Sequence, residues 1–297
     1  MITIPLVNFR LEKPSIIDLG DSKIIPMGNA SAIVQSASRL GIRSQEYALH
    51  MPCEYLLQTR SEATPELIQD ILNRALTVFK LFKDSIVLSH VVIVGDPPST
   101  VYEMRHYIPY SRLPIYTYSL REGEDTEFAK FWTEFSRLNP RNFAVYRFHL
   151  ADFRPYLADR FVDYVESLEY MLVPDSGGRE GEIRHKFSSR GTLILAPNAE
   201  ADMREHLYRG LQHAYDLRSG IVHSGASGES TDMPLEDVIH LVRWHDREAI
   251  KFFFRADCLD RTKDYRASLL KRRLIFDAQM SWRNPGEFKA EESIMPS

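Results

Sequence analysis

The sequence predicts an α+β protein: a mixed α/β N-terminal domain over residues 1–140, an all-α helical bundle over 141–280, and a flexible tail over 281–297. Three observations carry this prediction. Short β-branched and aromatic runs alternate with helical segments in the first half. From Asn142 to about Met280 nearly every long segment has helical period. The closing residues are polar and carry proline and glycine, which predicts a frayed end.

The elements follow in order. "SQEYALHMPCEYLLQTR" (44–60) holds apolar and aromatic residues in short, strand-like runs. "TPELIQDILNRALTVFKLF" is a helix, with Thr64 as cap, Pro65 at the first helical position and Glu66 at the positive end of the dipole. "SIVLSHVVIVG" (85–95) is a strand closed by the breaker Gly95-Asp96-Pro97-Pro98. "HYIPYSRLPIYTYSL" is proline-interrupted, an edge strand or structured loop. The turn "EGED" (122–125) leads into the helix "DTEFAKFWTEFSRLNP", which stops before Pro140. "PYLADRFVDYVESLEYML" places Leu157, Phe161, Tyr164, Val165, Leu168 and Leu172 on one face. After a break at "VPDSGGREGE" come "EIRHKFSSRGTLIL", then a helix capped by Asn198 that runs to His223. A final long helix is capped by Ser230, Thr231 or Asp232, with Pro234 in its first turn.

The bulk composition narrows the functional classes. With 297 residues and 44% apolar composition, the chain can bury one large core or two smaller ones. A net charge of -4 gives no global signature of nucleic-acid binding, although a local basic patch remains compatible with it. The two cysteines, Cys53 and Cys258, form no CxxC pair, which excludes a cysteine zinc site and argues against a disulfide framework. The start "MITIPLVNFRLEKPS" lacks the features of a signal peptide, and the longest apolar runs are too short for a bilayer. The expectation is a soluble, cytoplasmic protein with no membrane partner.

One stretch, "YDLRSGIVHSGASGES" (215–230), carries candidate chemistry. Arg218 and His223 are five residues apart, which separates them by roughly 140° around a helix. Asp216, Ser219 and His223 line one stripe at offsets of four and seven, Arg218 is long enough to fold across it, and Gly220 leaves room for another backbone. Histidine moves protons near neutral pH, and arginine holds a phosphate and stabilises developing charge. Together they suit metal-independent phosphodiester cleavage in RNA, where the 2′-hydroxyl supplies the nucleophile. A two-fold dimer would set two such pairs across one cleft. The same residues also read as the last turn of a helix before its stop signal. His206 and His213, seven apart, do not have zinc spacing, and neither a metal nor a cofactor is expected.

The ordered segments around this pair resemble the HEPN superfamily, in its Apea-like branch. "AYDLRSGIVHSG" fits the Arg-x(4–6)-His signature, with Arg218, a polar Ser219 and His223 in place. "DRFVDYVESLEYML", with Asp159, Arg160 and Glu169, resembles the preceding helix of that family. "EGEIRHKFSSRGTLIL" resembles the helix after it, and "ALTVFKLFKDSIV" resembles a segment of its long members. The resemblance covers residues 142–260 well and the first 140 loosely. It implies an HEPN-type helical bundle and a homodimeric, metal-independent endoribonuclease of the toxin or anti-phage kind. His223 would be the acid/base and Arg218 the phosphate ligand, with Ser219 orienting one of them; Asp216 is a further supporting group from its place on the stripe. It also implies an RNA substrate and a controlling partner, an antitoxin or a phage-derived trigger. Two departures matter. Serine is milder than the usual Asn, Asp or His after the arginine, and Gly225 replaces the tyrosine that some members carry as a modification site. Because some members are catalytically dead, the alternative is an inactive RNA- or protein-binding dimerisation module.

Other features have two readings each. Arg243, Arg247, Lys251 and Arg255 recur every four residues, and residues 243–273 hold ten Lys/Arg against five Asp/Glu. This ridge is either an RNA phosphate track or a solvated face laced with intrahelical pairs. "KFFF" and Trp244 supply apolar contacts to the core or a dimer interface. His90 fits a core or edge position in a strand, and the tyrosines of "YSRLPIYTY" fit base stacking or a domain interface.

Overall fold

The computed structural model describes residues 1–29, 53–60, 64–84, 87–89, 91–95, 98–103, 117–175, 180–224 and 234–281. Its secondary structure is mixed α+β, with eight strands and eight α-helices among these residues. The strands are β1 (Ile2–Val7), β2 (Phe9–Leu11), β3 (Ile17–Asp18), β4 (Ser22–Pro26), β5 (Cys53–Thr59), β6 (Val91–Gly95), β7 (Pro98–Glu103) and β8 (Tyr118–Leu120). Six of them form an antiparallel sheet in the order β3-β4-β5-β1-β6-β7. β2 and β8 pair in parallel as a separate ribbon. Asn8, at φ 64, turns the chain from β1 into β2, and its carbonyl accepts from Tyr118 N at 2.9 Å. Asparagine tolerates this left-handed conformation better than most side chains.

The helices are α1 (Pro65–Phe82), α2 (Glu124–Phe135), α3 (Phe143–Ala151), α4 (Leu157–Leu172), α5 (Glu180–Leu195), α6 (Ala201–Ser224), α7 (Leu235–Arg255) and α8 (Lys263–Ser281). α1 begins as its sequence predicts: Thr64 Oγ1 accepts from Leu67 N, and Pro65 opens the first turn. Other boundaries differ from expectation. α2 ends at Phe135, several residues before Pro140. α6 begins at Ala201, beyond Asn198, so Asn198 is not its cap. Pro234 precedes α7 instead of lying within its first turn. Strands β1 to β4 had no counterpart in the sequence reading. His90, the tyrosine-rich residues 110–116, Gly225 and the Gly/Ser run, the caps Ser230, Thr231 and Asp232, and residues 282–297 lie outside the described residues.

Two large hydrophobic clusters dominate the described residues, beside a small one of Ile25 and Leu56. Ile2, Ile4 and Leu6 alternate along β1 and pack against Ile68, Leu72, Leu76 and Phe79 of α1. Phe79 anchors this cluster, with the rings of Phe9, Tyr118, Phe128 and Trp132 around it at centroid separations of 4.9–6.0 Å. The second cluster joins α3 to α8 through residues such as Phe148, Phe161, Leu168, Phe187, Leu211, Val242, Phe253 and Leu270. Phe253 of the "KFFF" run lies in this core, and its neighbour Phe254 stacks on Phe135 at 4.5 Å. Val78 and Leu81 of α1 and Phe135 and Leu138 also belong to this core, so residues before 140 help to fill the helical half.

α1 also sends a charge into that half. Lys80 Nζ lies 2.7 Å from Asp152 Oδ2 and donates to Phe148 O, with both side chains almost wholly buried. Tyr164 Oη donates to Asp152 Oδ1 at 2.6 Å. Burial pushes Lys80 down to about 8 against the pull of Asp152. Burial would raise Asp152, but Arg243 and Lys80 outweigh it and hold the carboxyl below its ordinary range. Nearby, Asp246 accepts from Ser167 Oγ at 2.7 Å, and burial raises its carboxyl well above the ordinary value.

Candidate functional site

Arg218 and His223 both lie on α6, but they meet different surroundings. Arg218 sits two turns before the helix end and points toward α4, where Glu166 and Glu169 stand three residues apart on one face. Its Nη2 is 3.4 Å from Glu166 Oε1 and 3.7 Å from Glu169 Oε2. The side chain is only 18% exposed. Burial raises the Glu169 carboxyl above its ordinary value, with Arg218 opposing and Glu166 reinforcing the shift.

A second arginine closes the cluster from α3. Arg147 Nη2 lies 2.9 Å from Glu166 Oε2, and its Nη1 donates to Asp163 Oδ1 at 2.5 Å. Arg154 Nε donates to the other oxygen, Oδ2, of the same Asp163 at 2.5 Å. Asp163 is 2% exposed, and its two bonds to guanidinium groups offset the cost of burying it. Arg147, Glu166, Glu169 and Arg218 line an open cavity of about 340 Å³ with Phe143, Tyr170 and Lys263. Beneath Tyr170 the fully buried Arg266 places its guanidinium 4.3 Å from the ring and donates to Arg261 O at 2.7 Å. The arrangement is a mixed-charge pocket with an aromatic wall. It can hold a phosphate on Arg218 or Lys263 only in competition with the carboxylates.

His223 is not in this cavity. It is exposed in the last turn of α6, and its imidazole has no hydrogen-bond partner among the described residues. Five residues of helix place it about 7.5 Å further along the axis than Arg218. Ser219 is half-buried between them. A Cβ on Gly220 would meet nothing within 4 Å, so the space beside that residue is open, as the sequence reading requires.

Asp216, proposed as a supporting group, is engaged by α5: both its carboxylate oxygens accept from Arg184 Nη1, at 2.9 and 3.2 Å. The basic ridge is largely buried and paired. Arg243, Arg247, Lys251 and Arg255 recur along α7 as expected, but the first three are only 9%, 12% and 14% exposed. Arg243 pairs with Asp84 at 3.1 Å, and Arg247 and Lys251 share Glu248 at 3.1 and 2.9 Å. Arg255, 54% exposed, grips Glu134 of α2 at 2.6 Å. Arg247 and Lys251 thus pair within α7, Arg243 and Arg255 tie the helix to Asp84 and Glu134, and none of the four is without a carboxylate partner. Trp244 on the same helix is partly exposed and stands against His245.

The sequence reading missed Arg147, Asp163 and Glu166. Their signal was present: carboxylates at 163, 166 and 169 recur every three residues beside the apolar stripe of α4, an acidic ridge that needs cations opposite it. Among the described residues no three His, Cys, Asp or Glu side chains converge as a metal site. Both cysteines are free. No helix among the described residues is long and apolar enough to cross a membrane. No protein family, curated protein or solved structure matches the chain.

Proposed function

We propose that the protein is a metal-independent endoribonuclease of HEPN type, acting as a homodimer in toxin or anti-phage defence in the cytoplasm. In this reading the RNA 2′-hydroxyl attacks the adjacent phosphate and expels the 5′-oxygen, leaving a 2′,3′-cyclic phosphate; Arg218 neutralises the developing charge, and the two His223 side chains of a dimer take the proton from the 2′-hydroxyl and give one to the leaving 5′-oxygen. The observation that carries it is the position of the pair. Arg218 lines a cavity, and an exposed His223, with no partner among the described residues, follows on the same helix beside the open flank of Gly220. Proximity within one chain does not bring the two groups to a single phosphate, so the reading needs a second copy to complete the site. An antitoxin or a phage-derived trigger is the partner class that would control it. The test is RNA cleavage by the purified chain in chelator, with Arg218→Ala and His223→Ala for comparison. Cleavage that requires added divalent metal would sink the proposal.

One observation favours a second reading. Arg218 is already engaged by Glu166 and Glu169, as a structural arginine would be. On that reading the bundle is an inactive dimerisation module that binds RNA or protein, and wild-type chain leaves every RNA intact.

A further inference from the structure

A second cavity, of about 440 Å³, lies on the sheet side of the molecule, away from Arg218. Its walls come from three places. The β3–β4 turn contributes Leu19 to Ser22, with Gly20 at φ 79 and its N–H bonded to Asp18 Oδ1 at 2.9 Å. β5 contributes Leu57 and Thr59, and α1 and α2 supply Ile71, Ala75 and Trp132. The volume falls in the range of small-molecule sites, about 300–1,000 Å³. Leu19, Leu57, Ala75 and Val78 are buried and make an apolar floor, while hydroxyls of Ser22, Thr59, Thr133 and Ser136 stand among the lining residues.

The charged members decide the ligand. Arg60 and Arg74 both line the cavity, and Asp21 is the single acidic lining residue. Several arginines elsewhere are tied to carboxylates, as Arg10 is to Glu54, Arg141 to Asp70 and Arg190 to Asp175. Among the described residues neither Arg60 nor Arg74 has such a partner. Among the described residues Arg74 commits its Nε, to Leu138 O at 2.9 Å, and Asp21 is engaged through its backbone carbonyl, which accepts from Arg60 N at 3.2 Å. Among the described residues both guanidinium groups keep uncommitted donors, and with the apolar lining and the indole of Trp132 they match a ring-bearing anion.

We propose that this cavity binds a small amphiphilic anion. Its ring-sized apolar body lies against Leu57, Ala75 and Trp132, and a single carboxylate, sulfonate or phosphate head is held by Arg60 and Arg74. Val78 lines the same cavity and belongs to the helical core, so an occupant touches the helix that both clusters share.

The probe is anilinonaphthalene sulfonate, titrated by fluorescence into the intact chain, with N-phenylnaphthylamine as the uncharged counterpart. Saturable one-to-one binding of the sulfonate is expected, weakened about tenfold or more in Arg60→Gln/Arg74→Gln, the loss expected for charge-assisted hydrogen bonds. Glutamine keeps a donor for Leu138 O, and an unchanged thermal midpoint confirms that the variant is folded. Ser136→Trp, at an exposed lining position, closes the cavity without touching the arginines and should also abolish binding. Displacement by indole acetate alone assigns a carboxylate head, and displacement by adenosine monophosphate alone assigns a phosphate. Equal affinity for the uncharged probe, indifference to the arginine substitutions, or displacement by neither competitor overturns the proposal.

Discussion

Arg218 Nη2 stands 3.4 Å from Glu166 Oε1, and both side chains are about four-fifths shielded from solvent. The arginine that the proposed reaction assigns to the scissile phosphate is therefore held by a carboxylate from the neighbouring helix. The contact has two consequences. It fixes the guanidinium at the cavity, and it opposes an incoming anion with negative charge already in place. A phosphate reaches Arg218 only if it out-competes Glu166 and Glu169, or if a second chain changes the balance.

Neutralising those carboxylates should therefore favour anions. In Glu166→Gln/Glu169→Gln, RNA affinity is expected to rise, and the slope of log affinity against log salt should steepen by about 1 as Arg218 gains a phosphate. Filter binding across a salt series measures both. An unchanged slope would mean that Arg218 does not meet RNA.

The proposed catalytic pair should separate cleanly in stability. His223→Ala removes an exposed side chain and should shift unfolding free energy by no more than about 0.5 kcal/mol. RNA cleavage should fall by about 100-fold or more, the usual loss for a proton-transfer group. Arg218→Ala should lose cleavage and also about 1–3 kcal/mol of stability, because it takes the cation from Glu169 and leaves Glu166 to Arg147 alone. Urea unfolding beside a cleavage assay distinguishes the two variants.

Asp163 ties together Arg147 and Arg154 from within the protein. Asp163→Ala should cost about 3–5 kcal/mol, as expected when a buried pair loses one partner. Chemical denaturation reads the loss directly. A change below 1 kcal/mol would show that water replaces the carboxylate at that position.

Asp246 gives the stability curve a sign. Burial raises its folded-state carboxyl well above the ordinary 3.8, with only the Ser167 hydrogen bond and Lys80 resisting. The folded chain then holds a proton that the unfolded chain has released. This group's contribution is complete below 3.8 and is lost as pH rises through the window up to the raised value. Asp246→Asn keeps an acceptor for Ser167 and removes the penalty. Its thermal midpoint should exceed wild type at neutral pH, by about 2–4 °C for each kcal/mol recovered, and the difference should shrink toward acid. A difference that does not vary with pH would refute the assignment.

Arg243 should behave as a structural residue. Arg243→Ala should lower the melting temperature by several degrees, since Asp84 and Asp152 lose a buried cation. RNA affinity measured below that temperature should stay within about twofold of wild type, less than the loss of a phosphate contact would cause.

Much of the helical architecture was legible because amphipathic period and capping are local. Thr64, Pro65 and the stripe of Phe161, Tyr164, Val165 and Leu168 behave as their spacing requires. β1 to β4 were not legible. Ile2 to Val7 are buried almost throughout, so the period-two signal of a half-exposed strand is missing, and β3 has only two residues. At the site, the helix carrying Arg218 and His223 could be read from sequence, but the partners could not. Arg184 claims Asp216 from another helix, and Asp84 claims Arg243 across 159 positions of chain. Such pairings depend on tertiary placement, which spacing within one helix does not encode.

The shared helix also governs how the protein can be dissected. A cut near residue 140 looks natural in the sequence, yet a fragment beginning there would leave α1 behind. It would expose the seats of Val78 and Leu81 and strand Asp152 without the ammonium of Lys80. Genetic fusions, truncations and domain swaps that respect the composition change at 140 would thus yield a sticky, acid-loaded seam. A viable C-terminal fragment has to carry the 65–82 helix with it.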